Sequence, residues 1–213
     1  MIMKAIHKLV SIASSPLAPN RASADRLALA FGRDPATSLG SLLQEKNGFY
    51  AFEGALHVFP DNPSAQEPDI VTWNDRNLWR SAYDGLADDG VFFAEDVFGN
   101  QFVSRAGAVF AFDAETASYE AIANGIEEWS ELILRECNLH AGYVLAHAWQ
   151  SRNGKIESGR RLLPRKPFVL GGEYSVANLY SANAIGGMRF RGHVATQIRD
   201  VPDGSTIRLR VVE

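Results

Sequence analysis

Apolar positions along the chain alternate between a helical and a strand period, and the changes of period mark out the elements. Ser23, a residue type suited to capping, opens a short helix through Phe31 that Gly32 and Pro35 close. Thr37 starts a second helix with Leu39, Leu42 and Leu43 at helical spacing, ended by Asn47-Gly48. Two short strands follow over 49–52 and 55–59, then a Pro-rich loop over 60–68. The next helix carries Leu78, Trp79 and Tyr83, capped near Thr72 or Asn74. Residues 91–94, 101–104, 108–112 and 118–121 are short, aromatic-rich and separated by turn residues, which predicts a strand meander. Ile126, Trp129, Leu132 and Ile133 then share one helical face over about 125–137. A further helix spans roughly 139–150.

The two ends read differently. Residues 1–22, with Pro16, Pro19 and a Ser/Ala-rich stretch, are expected to form an arm leading into a domain over 23–151. Residues 152–167 turn Gly/Pro-rich and basic, a linker pattern, and 152–213 read as that linker plus strands packed on the same domain. Asp203-Gly204 is a type I′ pair, which places Arg199 opposite Arg208, Ile198 opposite Leu209 and Gln197 opposite Arg210 in a C-terminal hairpin. Met188, Phe190, Val194 and Ile198 alternate with Arg189, Arg191, His193, Gln197 and Arg199, giving one apolar and one basic strand face. The expected fold class is α+β: an antiparallel-rich mixed sheet flanked by helices, with a C-terminal β-hairpin extension.

Charge changes this picture. Residues 1–150 hold ten basic and twenty acidic side chains, whereas 151–213 hold eleven and five. The halves therefore attract one another or serve different partners. One cysteine, Cys137, excludes an internal disulfide, and no apolar run is long enough to span a bilayer, so a cytoplasmic protein is expected.

The helix ending in Asn47-Gly48, the strands, the Trp79 helix and then FFAEDVFGNQF at 92–102 form an ordered series. Over residues 25–135 this series resembles SMI1/KNR4 (SUKH) domains, with Glu95, Asp96, Phe98, Gly99, Asn100 and Phe102 forming the characteristic hairpin and Phe110, Phe112 and Trp129 continuing the pattern. The stretch from Phe168-Val169-Leu170-Gly171-Gly172 onward is similar to the C-terminal part of some bacterial type VI immunity proteins. The resemblance implies a compact sheet flanked by helices, acting as an antitoxin-like binder of a cognate toxin; other family members are regulatory scaffolds. It carries over no catalytic residue and no cofactor.

Chemistry read from the residues alone is sparse. Cys137 and His140, at i and i+3, admit a nucleophile pair, but a lone cysteine in an apolar helix is more often a small core residue. His140 and His147 on one helix would lie about 10.5 Å apart along its axis, beyond the reach of bonds of about 2.0–2.1 Å to a single zinc, unless His57 or His193 joined. Asp88-Asp89-Gly90 fits a turn better than a carboxylate pair, and Gly171-Gly172 and Gly186-Gly187 fit neither a P-loop nor a dinucleotide fingerprint. No enzyme, metal or cofactor is expected. A toxin, a nuclease among the candidates, is the expected partner, met by Asp84, Asp88, Asp89, Glu95 and Asp96. The alternative is a nucleic-acid-associated scaffold using Arg189, Arg191, Arg199, Arg208 and Arg210. That face lacks a stacking platform, so salt bridges to the acidic half fit it better than nucleic acid.

Overall fold

In a computed structural model the chain is described over residues 4–62, 67–202, 204 and 205. It is an α+β protein. Six strands form one antiparallel meander: β1 Phe49–Ala51, β2 Leu56–Val58, β3 Val91–Glu95, β4 Gln101–Arg105, β5 Ala108–Phe112 and β6 Tyr119–Ala123. A separate antiparallel pair is made by β7 Arg160–Pro164 and β8 Leu179–Asn183. Every described strand pair is antiparallel, so the sheet is not mixed.

The central strand β3 is buried along its whole length because both faces of the sheet are covered. On one face Phe93 and Phe102 meet Trp129 of α5, Ile126–Arg135, at centroid distances of 5.0 and 5.4 Å. On the other, Phe92 meets Trp79 at 5.0 Å and Phe112 meets Tyr83 at 5.4 Å. These edge-on contacts suit the ring quadrupole and fill the core with large apolar surfaces. Trp79 and Tyr83 do not belong to one long helix as expected. A single turn, α4 Ile70–Trp73, is capped by Asp69 and followed by a 3-10 turn, Arg80–Tyr83.

The first helices shift as well. Within the expected arm of residues 1–22, the described part is not a simple arm: α1, Ala5–Ile12, buries Ile6 and Leu9 on the core, and Glu127 of α5 accepts a bond from the Ala5 N–H. Then α2, Ala24–Phe31, is capped by Ser23 as expected. The next helix, α3 Arg33–Glu45, begins before Thr37, because Pro35 sits in its first turn, where its missing N–H has no role.

The largest correction is C-terminal. Residues 152–167 include β7, and 184–198 form a helix, α8 Ala184–Ile198, not a strand face. Asn183 caps it by accepting from the Gly186 N–H at 2.9 Å. Its buried stripe is Ala184, Gly187, Met188, Arg191, Gly192, Val194 and Ala195, a helical spacing. The stripe is small because α8 lies close to its neighbours: a Cβ on Gly192 would sit 2.9 Å from the Ala82 backbone. Arg208 and Arg210, with the far arm of the expected hairpin, lie outside the described residues.

Candidate binding surface

Three of the five expected acidic residues share one exposed loop. Asp84 ends the 3-10 turn with φ 50° and Gly85 follows with φ 86°, so the chain turns sharply toward β3. The guanidinium of Arg80 pins the loop from inside: Nε donates to Ala87 O at 2.7 Å, and the group lies 4.9 Å over the Phe92 ring. The side chains of Asp84, Asp88 and Asp89 are 77%, 39% and 58% exposed. Each already faces an arginine: Arg199 at 3.8 Å from Asp84, Arg76 at 3.1 Å from Asp88 and Arg105 at 2.7 Å from Asp89. Exposed pairs of this kind stabilise by about 0–1 kcal/mol, so another cation can displace the arginine at little cost.

Beside the loop a groove of about 420 Å³ runs between Phe31 and Pro35 on one wall and Asp88, Asp89 and Arg105 on the other. Leu29, one residue before the groove-lining Ala30, is 91% exposed. The lining mixes apolar Phe31, Pro35 and Val91 with polar Asn74, Arg80 and Ser104, and a mixed surface of this kind suits a non-obligate protein–protein contact.

The other two acids are inside the molecule. Glu95 lies directly across from His57 in the β2–β3 register. It accepts from Arg161 Nε at 2.8 Å and meets His57 Nδ1 at 3.0 Å. All three are buried. Burial alone would raise the Glu95 carboxyl; the Arg161 charge and the His57 bond more than offset it and hold it at about 2. Burial keeps His57 neutral, so its Nδ1–H donates to Glu95. Asp96 closes the turn after β3: Oδ1 accepts from the N–H of Phe98 and of Asn100, each at 2.8 Å, and Oδ2 from Asn100 Nδ2 at 2.9 Å. Burial pushes its carboxyl up to about 7 against those donors. Neither acid can face a partner.

The expected basic face is dispersed too. Arg191 is buried in α8 and donates to Phe98 O at 2.6 Å and Gly99 O at 3.2 Å. Arg189 donates to Leu78 O at 2.6 Å, and Arg199 meets Asp84 and Asp200. Arg199 thus takes an acid from the first half of the chain, as the charge split suggested. Cys137 opens the short helix α6, Cys137–Ala141, and is half-buried, while the imidazole of His140 lies 3.6 Å from Glu136. His147 belongs to the next helix, α7 Tyr143–Asn153, and pairs with Glu53 at 2.9 Å. No group of three metal-ligating side chains occurs among the described residues. No helix among them is long and apolar enough to cross a membrane.

Sequence reasoning missed Arg161 and the role of His57. The available signal was Glu95 itself: a carboxylate closing the apolar run Val91–Ala94 needs a cation brought from elsewhere.

No family profile matches this chain, and no curated protein matches it. A crystal structure titled Atu4351, from Agrobacterium tumefaciens, is similar over 86% of each chain, with a TM-score of 0.56 and 14% identity. At that identity the likeness shows the fold alone.

Proposed function

We propose that this protein is a non-catalytic binder that neutralises a toxin in the cytoplasm of the producing cell by covering a functional surface of it. The residue series at 25–135 that resembles SMI1/KNR4 domains motivates the class. The observation that carries the site is the groove flanked by Phe31 and Pro35, with Asp88 and Asp89 exposed on its rim and Leu29 beside it. A basic cleft, such as an enzyme of phosphodiester chemistry presents, would offer lysine and arginine side chains to replace Arg76 and Arg105 on those aspartates. The nucleic-acid alternative is less favoured, because among its described arginines Arg191 is buried and Arg199 faces Asp84.

The test is co-expression with the product of the neighbouring gene, scored by growth and co-purification, followed by binding kinetics. Reversing Asp88 and Asp89 to Lys should slow association roughly tenfold at low salt and less at high salt, as steering charges do. Association unchanged at low salt in the folded variant would remove the groove from the interface. A partner that binds no better than an unrelated protein would remove the toxin reading itself.

A further inference from the structure

A second cavity lies away from the groove, between the β1–β2 connection, the end of α7 and the segment leading into β7. It measures about 560 Å³, and its lining, mostly apolar, includes Tyr50, Gly54, Lys155, Ile156, Ser158 and Arg161. We propose that it is a binding site for a small planar aromatic carboxylate, independent of any toxin contact.

The walls are built rather than accidental. Phe52 and Glu53 have φ 51° and 56°, and Gly54 follows with φ 87°. Two consecutive side-chain-bearing residues in the left-handed region are disfavoured, and such strain gathers at functional sites. The turn is held in place from α7: Gln150 Nε2 donates to Glu53 O at 2.9 Å, while Gln150 Oε1 accepts from the Ile156 N–H at 3.0 Å. One amide therefore fixes two walls. The Tyr50 ring is stacked on His57 at 4.4 Å and 17°, and the Arg161 guanidinium lies 5.5 Å over it. A flat ligand would find a rigid aromatic wall.

Arg161 supplies the polar end. Its side chain is 2% exposed. Nε is used by Glu95, and Nη1 donates to Arg160 O at 3.1 Å with a longer contact to Gly54 O. Its Nη2 makes no hydrogen bond among the described residues, although the side chain lines the cavity. A ligand acceptor in the cavity could take up that donor. The choice of a carboxylate follows from the other lining charges. Lys155 has no ion pair among the described residues, whereas Glu53 is taken up by His147 and Tyr143, and Glu157 lies 3.9 Å from Arg160. Lys155 is thus a lining cation left to meet an anion beside the Arg161 Nη2 donor.

Benzoate titrated into the labelled protein, followed by amide chemical shifts, tests this, with benzyl alcohol as a neutral ligand of like shape. Saturable shifts at Tyr50, Gly54, Ser158 and Arg161, with a dissociation constant on the order of millimolar, are expected for a ligand this small. Benzyl alcohol should bind at least fivefold more weakly. Ser158→Trp, filling the mouth from an exposed position, should weaken benzoate at least tenfold, and Lys155→Glu, reversing a lining charge, should weaken it several-fold. No saturable shift at these residues, equal affinity for benzyl alcohol, or benzoate binding unaltered in both variants would overturn the proposal.

Discussion

Substituting Arg161 by Met keeps much of the length of the side chain and removes its charge, leaving Glu95 ionised at 2% exposure with only neutral partners. Removing one member of such a pair destabilises by about 3–5 kcal/mol, because the desolvated charge that remains has nothing to offset it. The carboxyl also makes stability depend on pH. It sits at about 2 in the folded protein against an ordinary 4.5. At about 1.4 kcal/mol per unit, that difference corresponds to about 3 kcal/mol of stability. The sign is set by the lowered value: the contribution is complete above about pH 4.5 and is lost as pH falls toward about 2.

Urea unfolding of wild type, Arg161→Met, Glu95→Gln and the double variant measures both statements. Each single change should lower the midpoint strongly at constant slope. The double variant should recover much of the loss, because neither charge is then stranded; a coupling above about 1 kcal/mol is expected. The gap between wild type and Glu95→Gln should narrow as pH falls through the window just given. A loss below about 1 kcal/mol for Arg161→Met, or strictly additive singles, would refute the reasoning.

Gly192→Ala should destabilise by about 1–3 kcal/mol in thermal melts, since the added methyl would press on the Ala82 backbone and the Tyr83 ring. Gly186→Ala, where the nearest atom to the new carbon is Asn183 Oδ1 at 3.7 Å, should instead be neutral or stabilise by up to about 1 kcal/mol. Asp96→Asn should cost about 1–3 kcal/mol by setting an NH₂ against Asn100 Nδ2. Because burial raises Asp96 from 3.8 to about 7, wild type should also lose stability relative to this non-titrating variant as pH rises through that interval, read from urea midpoints. Cys137→Ala, at a half-buried position, should shift stability by about 1 kcal/mol or less and leave partner binding intact in pull-downs.

The meander was legible because its strands obey local rules. Short aromatic runs are separated by turn residues, and Gly99, at φ 80°, needs its glycine to reverse the chain between β3 and β4. The burial of Glu95 and Asp96 was not. Next to a turn, two acids read as solvated, and only the arrival of β7 and α8 covers them. Arg161, whose charge makes the burial of Glu95 tolerable, stands 66 residues away from it in sequence, beyond any local pattern, whereas Asp96 is held by Phe98 and Asn100 of its own turn.

Helix α8 shows why a period can mislead. Met188-Arg189-Phe190-Arg191 alternates in hydropathy, and alternation counts every arginine as exposed and every phenylalanine as core. In the fold Met188 is buried and Arg189 exposed as expected, but the next two reverse: Phe190 is 44% exposed and Arg191 is 3% exposed. The helix must pass close to the Arg80–Tyr83 turn, so its inner face is made of Gly187, Gly192 and Ala195, which a hydrophobicity pattern scarcely registers. The turn at 96–100 meanwhile directs two carbonyls, Phe98 O and Gly99 O, into the interior. Buried acceptors without donors are costly, and a guanidinium from α8 can satisfy both at once. Arg191 is therefore a core residue by virtue of its hydrogen bonds, placed where an apolar side chain would leave Phe98 O unpaired and Gly99 O with Gln101 Nε2 alone. The same logic separates the two buried arginines of α8 and β7. Arg191 has spent its Nη donors on backbone, whereas Arg161 keeps Nη2 for the cavity it lines.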